Sequence, residues 1–583
     1  MFRILRGILP GVVLSAALPA LAASGHGGAP STDAPAIFVN QLGFLPEATK
    51  AAVVEGAAAG TRFEVVRETD GSVVLEGELP APATWPASGR PAAAVDLGAL
   101  RAPGRYRLRV QGRESDPFPV AAGVYDALAD AALKGYYFSR SGTALAPAHA
   151  GRHARAAGHP DTEVEVHPSA ASATRPAGSV ISAPGGWYDA GDYNKYVVNS
   201  GITTHTLLAA WEDFPEWFRD RELGIPESGN GVPDLLDEAW WNLRWMLAMQ
   251  DPHDGGVYHK LTNLRFDPIV MPDQAHERRY VVQKSTAAAL DLAAVMAQAA
   301  RVYGPFDAQF PGLAARMRAA AERAWEWAQA HPDVLYRQPA DVFTGAYGDA
   351  KLDDEFAWAA AELFVLTGEA RYLQAFERHA APPGVPSWAD VGALAWTTLA
   401  RHRARLPDDA WRTRVVEAVT GLAGALVARA QASPWRLAMQ SEDFVWGSSA
   451  QALNQGFVMV QGYRLTGDRA LLDAAQSQLD YVLGRNPLGV SFVTGHGLRT
   501  PRNIHHRPSQ ADGIDDPVPG LLSGGPNPRQ QDLRDCEGVA YPSSLPALSW
   551  IDHECSYASN EVAINWNAPL VYMAAAIPAL TAR

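Results

Sequence analysis

Near residue 121 the spacing of apolar residues changes from two to between three and four, and this change constrains the fold more than any other feature of the chain. Before it, short runs alternate. Tyr106, Leu108 and Val110 are interleaved with Arg105, Arg107 and Arg109, which gives one buried and one wet face of a strand. Phe63–Val65 and Val73–Leu75 flank Asp70-Gly71, a hairpin turn signal. With Phe38-Val39, Ala51–Val54 and Ala94–Leu97 these runs predict about seven strands between residues 36 and 120, a β-sandwich of immunoglobulin type without the antibody cysteine pair. After residue 121 the period is helical, and many of the segments are Ala-rich, which favours helix by propensity. Twelve candidates lie near 122–138, 195–211, 232–249, 283–303, 311–331, 354–367, 369–380, 388–404, 408–431, 447–466, 468–484 and 568–581. Twelve helices joined as hairpins suit a closed double ring, six inside six, so the expected fold is mainly α with a small β-sandwich in front.

Three long stretches, 139–192, 250–282 and 485–566, have no period. Stretches of that length inside a compact domain are usually functional. The first holds Gly185-Gly186-Trp187-Tyr188-Asp189-Ala190-Gly191-Asp192-Tyr193-Asn194-Lys195-Tyr196. A lone Asp-x-x-Asp reads most simply as an Asx turn at Asp189 and a helix N-cap at Asp192. The surrounding aromatics favour a sugar site, in which rings stack on C–H faces while carboxylates take hydroxyls. The last stretch ends in Tyr557-Ala558-Ser559-Asn560-Glu561-Val562-Ala563-Ile564-Asn565-Trp566-Asn567, with Asp552 nine residues before Glu561 and Asn567 a candidate cap for the final helix. Its apolar neighbours imply partial burial of Glu561, which raises a carboxyl pKa as a general acid requires. Between them stands Asn503-Ile504-His505-His506-Arg507-Pro508, either a structural histidine pair or the polar wall of a sugar site.

The chain opens with Arg3 and Arg6, an apolar run from Ile8 to Leu21 and an Ala-x-Ala site at Ala20–Ala22, so residues 1–22 read as a signal peptide and 23–35 as a flexible lead-in. The expected destination is secreted or periplasmic, and no later membrane span is expected. Export permits a bridge between the only two cysteines, Cys536 and Cys555; two buried free thiols are the alternative. A net charge of -14 without a basic cluster argues against nucleic acid and anionic membranes, whereas a neutral sugar meets no such barrier.

Taken in order, Ala36–Phe44, the Asp189–Asp192 segment, Asn503–Pro508 and Asp552–Ala568 resemble family 9 glycoside hydrolases, cellulases with an (α/α)6 barrel. The resemblance covers nearly the whole chain after residue 22. It implies hydrolysis of β-1,4-glucosidic bonds with inversion, endo-acting, by a monomer that needs no cofactor. Alternatives are an exo-acting hydrolase of cello-oligosaccharides or glucosamine oligomers, or a non-catalytic glucan-binding protein, which would need a lost acid or base. Carried over to this chain, the resemblance makes Asp192 the base, Asp189 a second holder of the attacking water, and Glu561 the acid. It makes His505 and Arg507 contacts to sugar hydroxyls beside the cleavage point, and gives Asp552 a supporting role. His259 and Trp446 resemble further cleft positions, and Tyr557 and Trp566 platforms. A family calcium site is suggested at Asp349, Asp353, Asp354, Glu355 and Asp390, whose oxygens suit that ion; the charged start of a helix near Asp354 is the plain alternative. Zinc is not expected, because Ser141 and Gly158 stand where relatives carry cysteines.

Overall fold

The computed structural model describes residues 35–537 and 539–582. The expected signal peptide and all but the last residue of the lead-in lie outside them. Nine strands, two more than expected, build the sandwich: β1 (Ala36–Phe38), β2 (Ala51–Glu55), β3 (Arg62–Arg67), β4 (Val73–Glu78), β5 (Ala83–Trp85), β6 (Arg90–Asp96), β7 (Gly104–Val110), β8 (Arg113–Glu114) and β9 (Phe118–Val120). One sheet runs β1-β2-β6-β5, the other β4-β3-β7-β8 with β9 also on β7, and every pairing within them is antiparallel. Phe63, Val65, Tyr106, Leu108, Val110 and Phe118 are buried together between the sheets. On the wet face of β7, Arg105 and Arg107 reach Glu68, and Arg109 reaches Glu114. The β3–β4 turn closes at Asp70-Gly71, where Gly71 adopts φ +69 and Asp70 Oδ1 accepts from Ser72 N at 3.0 Å.

Among the described residues twelve helices have ten residues or more. Six form an inner ring: Val197–Asp213, Thr286–Tyr303, Asp353–Thr367, Gly392–Arg401, Ser448–Thr466 and Ile564–Thr581. Each has an outer partner packed on its back: for five it is the next long helix in the chain, Asp234–Ala248, Leu313–Ala330, Ala370–His379, Asp409–Ala432 and Arg469–Val482, and for Ile564–Thr581 it is the first, Asp126–Phe138. Nearly every residue of Thr286–Tyr303 is buried, which explains its composition, since Ala lets inner helices approach on all sides. Ser285, Asp408 and Asp468 cap three helices with their side chains, and Gly368 and Gly467 end two more in the left-handed conformation. The Asp409–Ala432 helix is long and apolar enough to cross a membrane by composition, which the sequence reading did not anticipate; it is an outer helix whose buried stripe, Val415, Val419, Ala423 and Leu426, faces the ring.

Two caps expected from the sequence are placed differently. The helix after Asp192 starts only at Val197, because Lys195 and Tyr196 first pair as β10 with β11 (Lys260–Thr262). Asp192 accepts from side chains instead of capping. The last helix starts at Ile564, so Asn567 lies within it and ties it to Leu522 N and Ala132 O.

The sandwich is bolted to the barrel through Asn40-Gln41. Asn40 Nδ2 donates to Asp480 Oδ1 (2.9 Å), and Gln41 Nε2 donates to Gly489 O (2.8 Å) while its Oε1 accepts from Leu498 N and Arg499 N. Phe38 and Trp85 meet the fully buried Trp435, with ring centroids 5.3 and 5.7 Å away. The loop that begins at residue 485 is thereby anchored at its root.

Candidate active site

The three aperiodic stretches converge at one end of the barrel around a cleft of about 850 Å³. Asp189 and Asp192 sit at its floor, both nearly buried. Asp192 Oδ2 accepts from Asn194 Nδ2 (2.5 Å) and the Tyr196 hydroxyl (3.0 Å), so its other oxygen is left for a ligand. Asp189 accepts from the Asn199 amide and from the Tyr347 hydroxyl (2.8 Å). Burial first, and the charge of Asp192 second, push its carboxyl up to about 8. Glu561 lines the same cleft, its Oε1 accepting from Gly191 N at 3.2 Å. Burial, then the charge of Asp192, raise its carboxyl well above the ordinary glutamate range.

Gly191 draws the motifs together. Its carbonyl accepts from Arg507 N (3.1 Å) and Arg507 Nη1 (2.8 Å). A Cβ at this position would stand 2.4 Å from His505 O and 3.2 Å from Glu561 Oε1, so only glycine permits the approach. His505 continues the junction: its N donates to Asn560 O (2.9 Å), and its Nδ1 to Glu554 O (2.7 Å), which leaves Nε2 as an acceptor in the neutral ring. Burial lowers the His505 pKa and so favours that neutral form.

Aromatic rings cover the approach. Trp446 and Tyr557 lie 5.4 Å apart at a 34° angle, and Trp566 joins them in lining the cleft. The Tyr557 hydroxyl donates to Asp535 Oδ2 (2.6 Å). Cys536 and Cys555 form a disulfide with Cα atoms 5.6 Å apart, beside that pair. Asp532 gathers the enclosed loop by accepting from Tyr541 OH, Ser556 Oγ and Ala558 N.

Two sequence expectations, those for His259 and Asp353, need correction, and Asp552 takes its supporting role outside the cleft. His259 does not face the cleft: it is fully buried, stacked on Tyr336 at 3.9 Å, donating from Nε2 to Ala346 O (2.9 Å) and accepting at Nδ1 from Ser285 (2.8 Å). Burial drives its pKa to about 3. With Lys260, whose Nζ donates to Gly345 O (2.6 Å) and Thr344 Oγ1 (2.9 Å), it braces the loop that presents Tyr347. Asp552 is not part of the cleft lining; it accepts from Asn503 N (2.8 Å) and Asn560 Nδ2 (2.9 Å) and so ties the His505 segment to the residue before Glu561. Asp353 faces outward, its side chain 79% exposed and paired with His379 (2.7 Å).

Asp291, missed in the sequence, takes the place of Asp353 in the acidic cluster. It lies mid-helix at an inner-ring position, where periodicity forecasts an apolar residue. Both its oxygens, both of Glu355 and Oδ2 of Asp349 are buried without a hydrogen-bond partner. Burial and the charges of Asp349 and Asp354 raise Asp291 well above its usual range, and burial followed by the charge of Asp354 raises Asp390. Unpartnered carboxylates of this kind fit a hard cation, although among the described residues no three are drawn into a ready coordination shell. The zinc position does not fit its ion. Ser141 Oγ donates to His159 O (3.2 Å), and a Cβ on Gly158 would stand 2.2 Å from Pro272 O.

Tyr347 was also missed. It stands 155 residues beyond Asp192, with no motif around it, and adopts φ +46, a conformation rare outside glycine and held here by the clamp from β11.

Residues 125–574 match the model of glycosyl hydrolase family 9, and residues 32–115 that of the cellulase N-terminal ig-like domain. The chain belongs to glycosyl hydrolase family 9. Among relatives of this family it is similar to the xyloglucan-specific endo-beta-1,4-glucanase BoGH9A of Bacteroides ovatus, 42% identical over 565 residues that span 94% of either chain. Among solved structures it is similar to a Bacteroides ovatus GH9 protein (TM-score 0.87, 41% identity, 94% of this chain and 99% of that one). A metagenome-derived glycoside hydrolase family 9 endoglucanase gives a TM-score of 0.85 at 36% identity, covering 94% of this chain and 99% of that one. The (α/α)6 barrel behind an immunoglobulin-like domain is therefore the family 9 architecture.

The raised carboxyls carry a consequence for stability. Folded Asp189 holds its proton up to about pH 8, whereas the unfolded value is 3.8, and Glu561 is displaced in the same direction. Between those values the folded chain binds more protons than the unfolded one, so stability falls as pH rises through this window. Asp189→Asn cannot ionise and is expected to make the fall shallower. Denaturant unfolding at about pH 5 and about pH 8 measures it, and an unchanged slope would contradict the assignment.

Proposed function

We propose that this family 9 enzyme is an inverting endo-β-1,4-glucanase in which Asp192 is the general base and Glu561 the general acid. The observation that carries the reading is the contrast between two carboxyls in one cleft. Glu561 is partly buried and holds its proton, as a donor to the leaving glycosidic oxygen must. Asp192 has both its donors on Oδ2, so Oδ1 is available to take a proton from water. Asp189 stands beside it as the second holder of that water, and Arg507 and His505 offer a donor and an acceptor to sugar hydroxyls. Trp446, Tyr557 and Trp566 serve as stacking platforms. No cofactor takes part. The substrate is a β-1,4-glucan, and the specificity named for the Bacteroides ovatus relative supports a branched xyloglucan as the finer assignment.

The reading divides the chain into a signal peptide (1–22), a lead-in (23–35), an immunoglobulin-like domain (36–120) and the barrel (121–583), and makes the enzyme a secreted or periplasmic monomer. The Ala-x-Ala site and the change of period support those boundaries.

Glu561→Gln is expected to lower turnover of unactivated glucans by about 10²–10⁴-fold while leaving oligosaccharide binding nearly intact. An aryl glycoside, whose leaving group needs little protonation, should lose less. Near-normal turnover of glucan by the variant would overturn the role of Glu561.

The acidic cluster is read as a structural calcium site built on Asp291, Asp349, Asp354, Glu355 and Asp390. Bound only by the folded state, calcium at a hundredfold excess over its dissociation constant would stabilise by about 2.7 kcal/mol. Chelation is expected to lower the unfolding temperature and Ca²⁺ to restore it. Asp291→Asn should abolish that response and Asp353→Asn should keep it; the reverse pattern, or no response in the parent protein, contradicts the site.

A further inference from the structure

Phe266 and Phe343 line the same cleft as the acid and base, yet they are 47% and 53% exposed. Exposure that high within a cleft puts them at its margin rather than its floor. They come from different loops, one following β11 and one preceding Tyr347, and the two loops are joined by a hydrogen bond from Phe343 N to Leu264 O (2.7 Å). A cation covers each ring: the Arg265 guanidinium lies 4.3 Å from the Phe343 centroid and that of Arg507 lies 5.5 Å from Phe266. The rings are therefore held in place with apolar surface still turned to solvent.

The chemistry of a glucan ribbon decides what such surface meets. Its C–H groups lie on the ring faces, which Trp446, Tyr557 and Trp566 are suited to cover, each with a polar NH or OH for a neighbouring hydroxyl. The ribbon's edges carry hydroxyls and the C6 hydroxymethyl group. A phenylalanine at the margin would only desolvate an unbranched edge, because it returns no hydrogen bond. A sugar attached at O6 projects sideways to the margin and brings its own C–H face. If that sugar is a pentopyranose it lacks the exocyclic hydroxymethyl, so its C5 edge is apolar too. We propose that Phe266 and Phe343 are specificity-determining residues that pack against pentose branches carried at C6 of the β-1,4-glucan backbone.

The inference rests on the glucanase reading above, and the test separates the two. Specificity constants are measured for the parent enzyme, the Phe266→Ala/Phe343→Ala double variant and Trp446→Ala, on an unbranched soluble β-1,4-glucan and on a xylosyl-branched one. The double variant is expected to lose about tenfold on the branched polymer, mainly through KM, and no more than about threefold on the unbranched one. Trp446→Ala is expected to lower both to a similar degree. Equal losses on the two polymers in the double variant, or none on the branched polymer, overturn the inference. So does a parent enzyme that cleaves only the unbranched glucan. A parent that cleaves neither overturns the glucanase reading itself.

Discussion

The peptide of Gly191 makes hydrogen bonds in opposite directions: its N–H to Glu561 Oε1 and its carbonyl to two donors of Arg507. Segments separated by more than three hundred residues in the chain meet there, and they can do so because position 191 has no side chain: a Cβ would stand 2.4 Å from His505 O. Contact this close is available only to backbone, so main-chain atoms fix where the Asp192 and Glu561 segments stand relative to each other, and with that the aim of the two carboxyls. Proton transfer in hydrolysis depends on such aim, and misplacement by about 1 Å is worth on the order of a hundredfold in rate.

Electrostatics follow from the same junction. Drawing Asp189, Asp192 and Glu561 into one buried pocket leaves more negative charge than the protein neutralises there, and protons make up the difference at Asp189 and Glu561. Around this pocket the fold supplies bracing at a distance. His259 and Lys260 hold the Tyr347 loop, Asp552 and the 536–555 disulfide hold the approach to Glu561, and Asn40-Gln41 anchors the loop root from the sandwich. The small domain is thus mechanically continuous with the cleft end of the barrel.

The helical period made all the long helices legible, since ring helices keep an apolar seam along their length. The cleft carboxyls were legible as well, because glycines and aromatics crowd around Asp189, Asp192 and Glu561 within short windows. Orientation was not. His259 looks like a cleft residue beside Tyr258 and Lys260, yet it is fully buried and stacked on Tyr336. Asp291 was hidden by its apolar helix, and Asp353 and Asp354 are indistinguishable by type, although one meets His379 and the other the buried cluster. Tyr347, Phe266 and Phe343 reach the site from loops whose course depends on tertiary contacts, which no local pattern encodes.

The junction at Gly191 is tested most directly by turnover of Gly191→Ala on a soluble β-1,4-glucan, with the fold checked by circular dichroism. The added methyl must push the His505 backbone or the Glu561 carboxyl aside, so kcat should fall by about a hundredfold while helical signal and unfolding temperature stay near those of the parent. A folded variant that keeps kcat within about twofold of the parent would contradict the claim that this peptide aims the acid and base.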